Sequence, residues 1–160
     1  MDHSSREVIR FKRNHFSSRL PVRYLYSASH FWLYEEESGV WRVGLTNFAT
    51  RMLGEIVEYD FEVEPGQSVH VGQIVGWIEG FKAVSDVYSV ADGQFDGRNA
   101  STAEDTEVIC RDPYGDGWLY AIRGAPDPKA MDVHGYVSHL EATIDKMQER
   151  PWRSAEISEP

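Results

Sequence analysis

The chain has 160 residues, the length of one domain with short tails, and a domain of that size buries roughly 70% of the surface its unfolded chain exposes. No apolar run is long enough to cross a bilayer, and residues 1–23 lack the apolar centre of a secretory signal, so membrane insertion and secretion are not expected. Residues 1–23 carry six Lys or Arg against two acids and the remainder ten against twenty-four, an acidic body that argues against nucleic acid and suits partners with basic docking faces.

Cys110 is the only cysteine, so no internal disulfide can form and a cytoplasmic, reducing setting is expected. Residues 1–22 read as a basic, flexible tail. A mitochondrial transit segment is the weaker reading of that stretch, because Asp2 and Glu7 interrupt it and no clean amphipathic pattern is present.

From residue 23 onward, short β-type runs alternate with turn signals at close spacing. Arg23 to Tyr26 and Phe31 to Tyr34 read as strands, Glu35 to Gly39 as a charged hairpin connection, and Val40 to Leu45 as the next strand. Asn47 is placed to cap a brief helix through Leu53, which Gly54 ends. Glu55 to Val63 is strand-like, Pro65-Gly66 marks a turn, and Val69 to Ile78 continues as strand. The chain reverses around Glu79 to Ala83, since Val84 to Val90 returns to β-type composition. Asp92-Gly93 reads as a further turn and Asn99 to Glu107 as a polar loop or short helix. Asp112 to Gly117 is dense in turn formers, and Trp118 to Ile122 is the closing strand. Tyr136, Val137, Leu140, Ile144 and Met147 recur at three- and four-residue spacing, which predicts one amphipathic C-terminal helix. Residues 23–149 therefore form one mostly β domain with a terminal helix, and residues 150–160 a C-terminal tail.

Lysine is scarce: Lys12, Lys82, Lys129 and Lys146 are the only four. A single lysine is ordinarily a solvated surface residue. Lys82, however, lies between two apolar strands at a reversal beside Gly80, exposed yet held by a scaffold, which is what a modifying enzyme needs in an acceptor.

The run Glu79-Gly80-Phe81-Lys82-Ala83-Val84-Ser85-Asp86 closely resembles the lipoylation segment of glycine cleavage H proteins. His30-Phe31-Trp32 looks like that family's early His-x-Trp element. Val43 to Ala49, followed by Leu53 to Val57, looks like its strand and short helix, and Asp112 to Leu119 resembles its late turn. The resemblance spans about Tyr24 to Met147. It implies a mostly β barrel-sandwich hybrid of the lipoyl-domain kind, with short helices and a C-terminal helix. It further implies lipoate in amide linkage to Lys82, an attachment hairpin of Glu79, Gly80, Phe81 and Ala83, and His30 shaping a cleft for the arm. The chain is then a covalent cofactor carrier and not an enzyme. A lipoate ligase or an octanoyl or lipoyl transfer enzyme would install the group. Biotin carriers place a lysine on a similar hairpin with Met on both sides, and Phe81 and Ala83 argue against that cofactor.

The pattern departs from the family at several points. Gly80-Phe81 stands where Ser-Val is usual, Trp77 where a smaller aliphatic residue is, Phe31 where an acid is common, and Cys110 where Asn is frequent. In these departures the chain is similar to the lipoate-binding relatives of H protein in the sulfur-oxidising heterodisulfide-reductase-like pathway. That similarity implies an arm carrying sulfur to a heterodisulfide-reductase-like complex, and by the size of their side chains alone Trp77 and Phe81 are expected to line an apolar resting place for it. The alternative is glycine cleavage, with an aminomethyl cargo and the glycine cleavage enzymes as partners. A third reading is an H-like interaction module that is never lipoylated. Cys110 is a candidate sulfur relay, though a lone cysteine is more often a small buried hydrophobe. Asp112 and Asp116 lack the spacing of a calcium loop, and His30, His134 and His139 lack that of a closed metal site.

Overall fold

A computed structural model describes residues 6–158, with side chains described through residue 148. The elements run β1 (Val8–Arg13), β2 (Phe16–Pro21), β3 (Leu25–Tyr26), β4 (Phe31–Glu37), β5 (Val40–Leu45), α1 (Asn47–Leu53), β6 (Ile56–Phe61), β7 (Ser68–Val69), β8 (Ile74–Gly80), β9 (Val84–Tyr88), β10 (Ala91–Arg98), α2 (Ala100–Glu104), α3 (Glu107–Arg111), β11 (Tyr120–Pro126) and α4 (Val133–Ser158). A six-stranded sheet has the order β3-β4-β5-β11-β10-β7, and a three-stranded sheet the order β6-β8-β9. Both contribute to one core. Leu33, Val43 and Ile122 from the first sheet and Val75, Ile78 and Val87 from the second are fully buried in a single cluster. This is the mostly β architecture with short helices and a terminal helix that the sequence predicts.

The largest correction concerns the N-terminal segment. Val8–Arg13 and Phe16–Pro21 pair as an antiparallel hairpin, from Val8 opposite Pro21 to Arg13 opposite Phe16, instead of a flexible tail. The turn is Asn14-His15, with Asn14 at φ 57°, a left-handed conformation that Asn tolerates better than most residues. Phe16, Ser18 and Leu20 point inward while Ser17 and Arg19 face out, the period-two pattern of a half-buried strand. Phe11, Phe16 and Leu20 join Tyr26, Trp32, Phe48, Tyr136, Leu140 and Ile144 in a second core. The apolar stripe predicted on α4 is thus buried partly against the hairpin. Residues 1–5 of the expected tail lie outside the described residues. At the other end the helical backbone continues to Ser158, past the expected start of a tail at residue 150.

Three smaller differences have local causes. Asp92-Gly93 is not a turn but part of β10, where Gly93 faces Gly124 of β11. A Cβ on either glycine would lie 2.0 Å from a carbonyl oxygen of the facing strand, so the glycines serve close strand approach. The run Val69 to Ile78 is broken by Gly72, at φ 88°, into β7 and β8, which belong to different sheets. Helix α3 is not anticipated; it fills the space between α1 and β6 and buries Ile109.

Candidate functional site

Lys82 sits at the tip of the β8–β9 hairpin, where Gly80 donates its N–H to the Ala83 carbonyl at 2.9 Å to close the turn. The tip is bound to the C-terminal end of α1. Helix α1 starts at Thr46, whose hydroxyl accepts from Ala49 N, so Thr46 and not Asn47 is its cap. At its other end the last carbonyls lack partners within the helix, as at any helix terminus. Leu53 O accepts from Lys82 N at 2.9 Å, and Arg51 O faces Lys82 Nζ at 3.4 Å. Beyond Gly54, Glu55 O accepts from Phe81 N at 3.0 Å.

Two glycines permit this contact. A Cβ on Gly80 would lie 2.1 Å from Leu53 O, closer than non-bonded atoms can approach, so only glycine fits. Gly54 has φ 77° with ψ −168°, a positive-φ backbone open to glycine and little else, and a Cβ there would sit 3.0 Å from Lys82 Cγ. The backbone of Lys82 is therefore fixed while its side chain is exposed. Glu79 and Ala83 are exposed beside it, and Phe81 is 76% exposed, unusual for so large an apolar side chain.

A groove opens on each side of the tip. The larger, about 630 Å³, lies between Phe81, Ile56 and Val57 on one wall and Thr106, Glu107 and Cys110 on the other, with Glu55 and Arg111 also lining it. The smaller, about 360 Å³, is lined by Lys82 itself together with Phe16 and His15 of the hairpin, Phe48, Arg51 and Met52 of α1, and Ile144 and Met147 of α4. Arg13, Asn14 and Gln148 complete its rim, so that among the described residues two guanidinium groups line it, of which that of Arg13 is paired with Asp145 and Glu141. The sequence gives no hint of this second groove, because one wall comes from the segment read as a tail. Trp77, expected near the arm, pairs across to Asp60 and Asp86 in mid-sheet and lines neither groove.

His30 stands behind the smaller groove and does not line it. Its ring packs 4.7 Å from that of Phe48 and stacks on His139 at 5.2 Å. Nδ1 is 2.8 Å from the Tyr136 hydroxyl, which in turn donates to Thr46 Oγ1 at 2.9 Å. This chain links α4 to the cap of α1. Desolvation, then the neighbouring His139, pushes the His30 pKa down to about 4, so the ring is neutral at pH 7. No group of three or more His, Cys, Asp or Glu suited to a metal ion occurs among the described residues.

Cys110 is half-buried in the wall of the larger groove, 3.7 Å from Gly54 O, and burial pushes its thiol pKa up, which disfavours the reactive thiolate. The Asp112 turn closes on itself: its carboxylate accepts from Asp116 N at 2.8 Å, and its carbonyl accepts from Gly117 N at 2.9 Å.

An exposed lysine on a rigid hairpin of a mostly β domain, with a groove at either side, is the arrangement that a carrier of a covalently tethered group requires. The model of the glycine cleavage H-protein family matches residues 24–144, and the chain belongs to that family. It is 33% identical over 127 residues to a glycine cleavage system H protein of Enterobacter sp. (strain 638), covering 78% of this chain and 98% of that protein. It is 41% identical over 124 residues to one of Psychrobacter sp. (strain PRwf-1), covering 78% of this chain and 95% of that protein. The crystal structure of a glycine cleavage system H protein from Mycobacterium marinum superposes with a TM-score of 0.69 at 31% identity, covering 76% of this chain and 99% of that one. Proteins of this family carry lipoate covalently on a lysine, and they are carriers, not catalysts. No helix among the described residues is long and apolar enough to cross a membrane.

Proposed function

We propose that Lys82 is the lipoyl acceptor and that the arm it bears presents an aminomethyl cargo to the glycine cleavage enzymes. The observation that carries this reading is the docking of the Lys82 amide on Leu53 O, which fixes the acceptor's backbone while its side chain stays exposed, with Nζ reaching Arg51 O at 3.4 Å. The site fits the group, since a long arm needs an unobstructed root and space beside it, and both grooves start at the tip. Bound lipoate supplies a pair of sulfur atoms that open to thiols and hold the cargo. The protein's own part is to position that pair and to raise its effective concentration at a docked partner. Glu55 in the larger groove suits the ammonium of an aminomethyl group, while Glu107 beside it is paired with Arg111 at 4.0 Å. Exposed Phe81 and Val84 flank the acceptor and offer apolar contact to the lipoate ligase or transfer enzyme that must reach Lys82.

A sulfur cargo passed to a heterodisulfide-reductase-like complex is the second reading, favoured by one feature. Among the described residues the smaller groove is lined by Arg51 and by Arg13, the latter paired with Asp145 and Glu141, and Phe31, where the family commonly has an acid, is buried. Such a lining suits anionic sulfur better than an ammonium group.

Peptide mass spectrometry of the Lys82 region, on protein from its native cells, tests both readings. A lipoyl adduct bearing aminomethyl is the expected result, extra sulfur on the adduct would establish the second reading, and a Lys82 that is never modified would overturn the carrier function.

A further inference from the structure

We infer that the outward face of the N-terminal hairpin is a cationic docking face for an acidic patch on one of the enzymes that act at Lys82. This rests on the carrier reading of Lys82 and adds to it a role for β1 and β2. The alternation that buries Phe11, Phe16 and Leu20 turns Arg10, Lys12 and Arg19 to solvent. Arg10 stands directly opposite Arg19 across the ribbon. Lys12 follows on the same face, about 7 Å further along the strand.

Nothing in the described fold balances these charges. Arg13, on the inner face of the same strand, is held by Asp145 and Glu141 of α4. Arg10, Lys12 and Arg19 form no salt bridge among the described residues. Like charges directly opposite each other weaken a strand pair. Arg10 and Arg19 therefore work against the hairpin until an anion from outside the chain meets them.

The anion that fits is a compact acidic protein surface and not an extended polyanion. Beyond residue 23 the chain carries ten Lys or Arg against twenty-four acids. A bilayer or a nucleic acid runs past the ribbon and would meet like charge on the body. The ribbon also lacks a stacking platform for bases, since Phe11 and Phe16 are buried. Its position points to an enzyme that handles the arm. The turn from Arg13 to Phe16 borders the same groove as Lys82, so a partner seated on the ribbon has the root of the arm at its edge. The hairpin precedes residue 24, where the family match begins, so this face is an addition to the shared carrier domain.

Charge reversal in the full chain tests the face. Arg10→Glu turns a like-charge pair into an opposite one, so its Tm should hold or rise and any loss of docking is not unfolding. In Arg10→Glu combined with Arg19→Glu, KM should rise about tenfold at unchanged kcat for lipoate ligase acting on the apoprotein or for one of the purified glycine cleavage enzymes acting on the holoprotein. Added salt should raise that KM for the native chain and lower it for the double variant, because it screens an attraction in one and a repulsion in the other. A KM that the double variant leaves unmoved for every one of these enzymes would overturn the docking face. Native chain that binds phosphatidylglycerol vesicles or duplex DNA, and loses that binding in the double variant, would overturn it too, in favour of a polyanion. Intact mass separates these failures from that of the carrier reading, since a native chain that lipoate ligase leaves unmodified overturns both.

Discussion

The backbone amide of Lys82 donates to the carbonyl of Leu53 at 2.9 Å, which joins the tip of the β8–β9 hairpin to the end of α1. One hydrogen bond thereby satisfies an orphan carbonyl of a seven-residue helix and fixes the backbone of Lys82. Whatever holds α1 also holds Lys82. The cap at Thr46, the Tyr136 hydroxyl on Thr46 Oγ1 and the His30 ring on Phe48 all act at the other end or side of the same helix.

Gly80→Ala tests that junction directly. The added methyl would fall 2.1 Å from Leu53 O, so the tip must lift from α1. Overpacking of this kind costs about 1–3 kcal/mol. A drop in Tm is expected together with slower lipoylation by a ligase in vitro. Unchanged values for both would show that the junction is not needed.

Lys82→Arg should behave differently. The side chain is exposed, and an arginine stem can follow the same path past Gly54, so stability should change by no more than about 0.5 kcal/mol. Lipoylation should be abolished, because the guanidinium cannot form the amide. Intact mass spectrometry after incubation with ligase, beside a thermal melt, checks both. An adduct on the variant would place the acceptor at another of the four lysines.

His30 sets a pH dependence. Its folded pKa is lowered from 6.5 to about 4. Between those values the unfolded chain takes up a proton that the folded chain refuses, so stability falls as pH drops through this window, by at most about 1.4 kcal/mol per unit. The slope has halved at pH 6.5 and fades above it, as the unfolded chain also loses the proton. His30→Asn keeps a residue that tolerates φ 71° and removes the titration, so its denaturation midpoint should vary less between pH 6.5 and pH 4. An unchanged pH profile in the variant would assign the slope to other groups.

The place of Lys82 at a chain reversal and most of the strands are legible in the sequence because each rests on a local signal. Lys82 stands between two β-type runs beside Gly80, Val40–Leu45 has the observed bounds, and the short helix ends at Leu53 before Gly54 as read, although it starts one residue earlier, at Asn47. What is not legible depends on partners distant in sequence. Gly93 looks like a turn residue until Gly124 is placed opposite it. The hairpin reads as a tail because Ser, Arg and Lys dilute its apolar positions, and only burial against α4 gives the alternation at Phe16, Ser18 and Leu20 its meaning. The smaller groove depends on that same contact, so one misread segment hides half of the site's surroundings.

Phe16 is the residue on which the hairpin's place in the fold can be tested. It is buried against Phe11 at 6.1 Å and Phe48 at 5.5 Å and also lines the smaller groove. Phe16→Ala should destabilise the chain by about 3 kcal/mol, the cost of a cavity at a buried aromatic site. Arg13→Ala, by contrast, removes an exposed ion pair to Asp145 and should leave the melt nearly unchanged. Amide hydrogen exchange separates a docked hairpin from a loose one. Amides paired between Ile9 and Leu20 should be protected in the native chain and lose protection selectively in Phe16→Ala, while those of β8 and β9 keep theirs. Fast exchange across residues 8–21 in the native chain would return this segment to a flexible tail and remove one wall of the groove beside Lys82.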